Sequence, residues 1–163
     1  MKFLLTAINA KFIHSNPSIY SLRAGVGEKL QPYVELAEFT INESLESILE
    51  GIWKRQPKVI GFSCYIWNWK LIREILTELP KILPDTEIWL GGPEVTYDGP
   101  GLLSEFPQVT GIMVGEGEVT FREVLSQYVR EAESTGQSEQ QPEPDSIEPV
   151  SYTHLRAHET VLD

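Results

Sequence analysis

Four short segments hold the residues whose types and spacing could do chemistry. Asn9 to Asn16 includes Lys11 and His14, and Ser63 to Trp69 includes Cys64, Tyr65 and Trp67. Gly91 to Gly99 opens with Gly91, Gly92, Pro93 and Glu94, and Gly115 to Thr120 opens with Gly115, Glu116, Gly117 and Glu118. A histidine projecting from a loop suits a metal-ligand role, although a lone histidine ahead of a helix cap is more often a loop or capping residue. Paired glycines let a flat ring or a nucleotide come close to backbone N–H groups, and they equally make a tight turn. Aromatic side chains in a loop can stack on a cofactor or a second domain, or pack against the following helix. Acids at a helix start are stabilising on electrostatic grounds alone.

Composition narrows what these segments could do. The only cysteine is Cys64, so this chain alone makes no internal disulfide and holds neither an iron–sulfur cluster nor a Cys-based zinc site. The net charge is -11 at pH 7. An acidic chain without a basic stripe argues against nucleic acid or an anionic membrane as partner. No apolar run approaches the roughly 18 residues of a membrane span, and the stretch from Met1 to Ile8 is too short and too weakly marked for a signal peptide. A soluble, cytoplasmic protein is expected.

Short β-rich apolar runs alternate with helical periodicity, which implies βαβ units and a mainly parallel sheet. The strands are expected at Lys2 to Ile8, Val34 to Ile41, Lys58 to Cys64, Glu87 to Leu90 and Gly111 to Val114. The first helix is announced by Ser15 or Asn16 as cap and Pro17 at its first position, and the second is capped near Asn42. The third carries Ile72, Ile75, Leu76, Leu79, Ile82 and Leu83 on one side, with Pro80 expected to kink it or end it early. A short helix over Gly99 to Phe106 and a last one through Phe121, Val124, Leu125, Tyr128 and Val129 complete the set. The fold class is a doubly wound, flavodoxin-like α/β domain: five parallel strands in the order 2-1-3-4-5, with helices on both faces. In such a sheet the ligand crevice lies at the strand carboxyl ends where the order reverses, here between the loops after the first and third strands. All four chemistry-bearing segments fall on that edge.

The domain is expected over residues 1–130, followed by an acidic, disordered tail over residues 131–163. Ser134 to Pro149 is rich in Gln, Glu, Ser and Pro and has too few large apolar residues to repay the entropy of ordering. Ser151 to Asp163, SYTHLRAHETVLD, resembles a peptide produced when sequencing-adaptor DNA is translated at the end of a broken gene. On that expectation the last residues are non-native and the natural protein continues; the alternative is an ordinary flexible tail.

Other functions with a related topology lack their residues. A phospho-receiver needs acids after the first strand and an Asp ending the third, where this chain has Asn9 and Cys64-Tyr65. A dinucleotide site would put Gly-x-Gly-x-x-Gly in the first strand-to-helix turn, and a P-loop would put Gly-Lys-Ser/Thr there.

Taken together, NAKFIHSNPSIYSL after the first strand, GFSCYIWN at the third, LGGPEVT at the fourth and GIMVGEGEVTF at the fifth resemble one family. It is the amino-terminal cobalamin-binding domain of B12-dependent radical SAM proteins, over Met1 to about Arg130. The resemblance implies that Ser63 approaches the cobalamin nucleotide tail with Gly91 and Gly92 beside it. It implies that the turn from Gly115 to Glu118 meets the corrin rim or the following domain. Asn9, His14, Tyr65, Pro93, Glu94, Glu116 and Gly117 complete the cofactor-binding set it suggests. Cobalamin-dependent mutases have Asp-x-His-x-x-Gly in the first loop, where this chain has Asn9, Lys11 and His14, so the resemblance implies cobalt without a protein histidine below it. Such ligation tunes how readily cobalt exchanges a methyl group. The Cys-x-x-x-Cys-x-x-Cys motif for a [4Fe-4S] cluster and S-adenosylmethionine is absent. The fragment is therefore expected to bind cobalamin without catalysing, and to serve a missing C-terminal radical SAM domain in a methyltransferase or radical rearrangement enzyme. The competing reading is a cofactor-free docking module using Trp67, Trp69 and the Gly92-Pro93 loop to hold a protein.

Overall fold

Parallel strands joined by helices must carry apolar residues toward both faces, and the burial of β1 (Phe3–Asn9), with its first six residues all buried, meets that requirement. The computed structural model of the chain describes residues 1–11 and 16–136, together with the backbone of residues 154–156. After β1 the order is α1 (Pro17–Gly25), β2 (Val34–Thr40), α2 (Leu45–Arg55), β3 (Val59–Ser63) and α3 (Trp69–Ile82). There follow β4 (Glu87–Gly91), α4 (Gly99–Glu105), β5 (Val109–Met113), α5 (Gly117–Thr135) and β6 (His154–Arg156). The five parallel strands are ordered β2-β1-β3-β4-β5, as the sequence predicts.

Two cores form, one on each face. On one, Ile48 and Ile52 of α2, Ile72, Ile75, Leu76 and Leu79 of α3, and Leu103 of α4 pack on Leu4, Ile8, Ile60, Phe62, Leu90 and Ile112. On the other, Ile19 of α1 and Phe121, Val124 and Leu125 of α5 pack on Phe3, Leu5, Val59 and Trp89.

Local chemistry explains where the helices begin. Asn16 is the N-cap of α1, its side-chain oxygen accepting from the Ser18 amide at 2.9 Å, with Pro17 at the first position. The cap of α2 is Ser44 rather than a residue near Asn42, and its hydroxyl accepts from the Ser47 amide at 3.1 Å. Pro80 does not end α3, which continues to Ile82. A proline removes the donor that would bond the carbonyl four residues earlier, here that of Leu76. The Gln108 side-chain amide donates to that carbonyl at 2.8 Å. The tertiary contact supplies the bond that the helix lacks.

The expected tail is corrected at two places. Helix α5 runs past Arg130 to Thr135, because Phe121, Val124, Leu125, Tyr128 and Val129 bury one face and the last turn continues from that anchor. Residues 154–156 add a sixth, antiparallel strand beside Gly111 to Met113, where the outer edge of β5 offers unpaired backbone groups. The rest of the tail expectation concerns residues 137–153 and 157–163, which lie outside the described residues.

Candidate functional site

At the carboxyl edge the gap between β1 and β3 is not left open. The wholly buried side chain of Asn68 fills it: its amide nitrogen donates to the Ile8 carbonyl at 3.1 Å and to the Ser63 carbonyl at 2.9 Å. Its oxygen accepts from the Tyr65 amide at 2.8 Å. One side chain thus satisfies three backbone groups where two neighbouring strands part. Nothing in the local pattern distinguishes this asparagine from an ordinary loop residue, since its partners come from two strands.

The cavity lies beside that closure, on the α1/α5 face, and reaches from Leu5 of β1 to Met113 of β5 with a volume of about 610 Å³. Its floor is the carboxyl half of β3 and β4, where Gly61, Ser63 and Gly91 face it in place of large side chains. Ser63 and Gly91 are direct partners in the β3–β4 register. The walls are Pro17, Ser18 and Leu22 of α1, and Gly117 and Glu118 at the start of α5. A Cβ at Gly117 would stand 3.2 Å from Leu22, so this glycine lets the two walls meet behind the cavity.

Of the residues singled out in the sequence, Ser63, Tyr65, Gly91, Gly92, Pro93, Gly115 and Gly117 line the cavity. Asn9, Glu94 and Glu116 do not. The Asn9 side chain instead donates to Glu38 at 3.2 Å. The amide of Glu94 bonds the Cys64 carbonyl at 3.3 Å, and Glu116 caps α5 through its carbonyl, which accepts from the Thr120 amide at 3.0 Å. His14 lies outside the described residues.

The two paired glycines have different reasons. Gly92 has φ of 101°, and a Cβ there would lie 2.5 Å from the Cys64 carbonyl oxygen, so the approach of the β3–α3 loop requires glycine whatever the ligand. At Gly91 a Cβ would meet Met113 only at ordinary contact distance, 3.9 Å. The absent side chain at Gly91 is therefore the one that leaves space in the cavity.

The loop aromatics also separate. Trp69 is partly buried and packs edge-on to Phe106, with ring centroids 6.2 Å apart, so it belongs to the core and is not free to dock a partner. Tyr65 and Trp67 stack at 4.4 Å, and the Tyr65 hydroxyl donates to Ser18 at 3.3 Å, joining the β3–α3 loop to α1 at the cavity rim. Ile66, Trp67 and Tyr97 remain 81%, 47% and 93% exposed, an unusual apolar concentration on loops at one edge.

The titratable groups nearby are structural. Burial pushes the Cys64 thiol well above its ordinary pKa, so it stays protonated and unreactive. Burial opposes the charge on Glu38, but hydrogen bonds from the Tyr20 hydroxyl, the Asn16 amide and the Asn9 side chain outweigh it and hold its pKa below the usual value. Glu38 thereby fastens both ends of the β1–α1 loop to β2. Among the described residues no group of His, Cys, Asp and Glu could hold a metal ion, and no helix is long and apolar enough to cross a membrane.

The fold is a doubly wound α/β domain with a glycine-floored cavity at the carboxyl edge of its sheet. The B12 binding domain model matches residues 4–125, and the chain belongs to that family: it is a cobalamin-binding module. It is 36% identical over 72 residues to the cobalamin-dependent radical SAM methyltransferase TokK of Streptomyces tokunonensis, a match covering 44% of this chain and 10% of TokK. It is also 36% identical over 84 residues to the 2-(S-pantetheinyl)-carbapenam-3-carboxylate methyltransferase of Streptantibioticus cattleyicolor, covering 51% of this chain and 12% of that protein. The chain thus matches only about a tenth of either curated relative. Among solved structures, the cobalamin-dependent S-adenosylmethionine radical enzyme OxsB with aqua-cobalamin and S-adenosylmethionine bound shares the fold. Its TM-score is 0.63 and its identity 19%, over 78% of this chain and 19% of OxsB.

The cavity's dimensions fit the family's ligand in part. About 610 Å³ lies within the roughly 300–1,000 Å³ of small-molecule sites, enough for a nucleotide tail but not for a whole corrinoid.

Proposed function

We propose that the cavity between α1, α5 and the sheet takes the nucleotide tail of cobalamin and leaves the corrin ring over the carboxyl-edge loops. Ser63 and Gly91 form the floor, Ser18, Tyr65 and Pro93 the rim, and Gly115 and Gly117 the far side. The observation that carries this reading is the side-chain-free floor at Gly91, which no packing need explains. Bound cobalamin would supply a cobalt centre able to accept and donate a methyl group. This chain's residues would orient it and exclude water from the tail. Asn9, Lys11 and His14 stand where the mutases have Asp-x-His-x-x-Gly, so cobalt is read as lacking a protein histidine below it.

The whole protein is read as a radical SAM enzyme, with methyl transfer favoured by the names of both curated relatives. Its [4Fe-4S] cluster and S-adenosylmethionine would be held by a further domain. The exposed Ile66, Trp67 and Tyr97 on the same edge are the surface that such a domain would cover.

The test is reconstitution of the full chain with hydroxocobalamin. After desalting, the protein is expected to retain a red corrinoid with a shifted absorbance spectrum. A colourless, folded protein would leave the docking module as the reading. His14→Ala is expected to leave both affinity and spectrum unchanged; a large loss with folding intact would overturn the reading of cobalt without a protein histidine.

A further inference from the structure

The cavity has two chemically different ends. At its mouth Ser21, Thr96 and Glu118 are exposed, whereas at its inner end Leu5, Gly61 and Trp89 are buried. The backbone of Gly61 lies in register between β1 and β4. The one polar group at that end that could serve a ligand is the indole N–H of Trp89, because tryptophan is a donor only. That donor is already engaged: Trp89 Nε1 donates to the Tyr128 hydroxyl at 2.8 Å, and the Tyr128 hydroxyl donates in turn to the Glu87 carboxylate. The relay holds the ring in place and turns its polar edge toward α5, so the inner end presents carbon to whatever enters.

Corrinoids differ in the base that ends the nucleotide tail. A dimethylbenzimidazole carries methyl groups at its leading edge, whereas an adenine of similar size carries an amine and ring nitrogens. Volume hardly separates the two. Hydrogen bonding does, because a polar group driven into a carbon-lined end loses its water without gaining a partner. The inference rests on the cobalamin reading above and adds a specificity to it. The geometry points to Trp89, fixed by Tyr128 and Glu87, as the residue that makes this cavity select corrinoids with an apolar benzimidazole base over those with a purine.

The experiment measures equilibrium affinity of the full chain, by absorbance and by quenching of tryptophan fluorescence, for three probes. They are hydroxocobalamin, its counterpart with adenine as the base, and cobinamide, which lacks the nucleotide. Cobalamin is expected to bind roughly tenfold or more tighter than the adenine form, with cobinamide weakest. Equal affinity for the two complete corrinoids, with cobinamide still weak, would overturn the base selectivity and leave the tail site standing. Equal affinity for all three would remove the tail from the cavity and overturn both readings. The wild-type series decides these points without any variant. In Trp89→Gln, which sets an amide able to pair with a purine where the ring's carbon face stood, the preference is expected to shrink to within about threefold. A folded Trp89→Gln protein that keeps the full preference would show that Trp89 is not the determinant.

Discussion

The two faces of the sheet are built from the same strands and end in opposite ways. Toward α2 and α3, β3, β4 and β5 send Ile60, Phe62, Leu90 and Ile112 into a packed core. Toward α1 and α5 the alternate positions are Gly61, Ser63, Trp89, Gly91 and Met113, and beyond the Trp89 ring, where the positions are small, a space of about 610 Å³ remains. Side chains alternate across a strand with a period of two, so one run of residues can fill one face and empty the other. The cavity results from that alternation in size, not from a loss of packing, since Leu76 and Phe121 on opposite faces are both wholly buried.

The contrast can be broken from either side. Ile72→Ala on the closed face should cost the most stability, about 2–5 kcal/mol by denaturant titration, because it leaves a void in a packed core. Cobalamin affinity of the still-folded fraction should hardly change. Gly91→Trp on the open face should do the reverse, weakening cobalamin binding by about a hundredfold or more while the unfolding midpoint moves little. A Gly91→Trp protein that binds normally would place the ligand elsewhere. Substitution at Gly92 does not make this test cleanly, because the Cys64 backbone already excludes a Cβ there.

Asn68→Ala probes the boundary between the two faces. It strips partners from the Ile8 and Ser63 carbonyls and the Tyr65 amide, and should cost about 2 kcal/mol or more in unfolding free energy. Because Ser63 and Tyr65 both line the cavity, affinity should fall as well, which separates this variant from Ile72→Ala.

The smallest effect is expected at Glu38. Its folded-state pKa is lowered, so its contribution is complete above the ordinary carboxylate value of roughly 4.3 and is lost as pH falls through the lower folded value. Stability measured against pH should therefore fall less steeply on the acid side in Glu38→Gln than in the wild type. Identical acid slopes would show that Glu38 does not hold the β1–α1 loop.

Much of the architecture was legible in the chain before folding. Strand positions and the order of the parallel strands follow from alternating periodicities and from Pro17 and the Gly91-Gly92 pair acting as punctuation. The reading was less exact wherever a distant residue intervenes. Pro80 read as a kink or an early stop because the donor that compensates it is Gln108 of a different segment. Trp69 looked like a companion of Trp67 because adjacency in a loop does not reveal that Phe106 waits behind it. Pro17, Ser18 and Leu22 were not assigned to the site, although the first helix was expected to begin at Pro17, just after the loop on that edge.

What the residues by themselves determine is the repeating pattern of strand and helix, with its run of small residues at β-strand ends. Only the folded protein decides that α1 and α5 roof those small residues on one face, that Asn68 closes the gap beside them, and that Tyr128 turns the polar edge of Trp89 away. Each depends on groups brought together from far along the chain, and side-chain hydrogen bonds over such separations leave no periodic trace in the sequence.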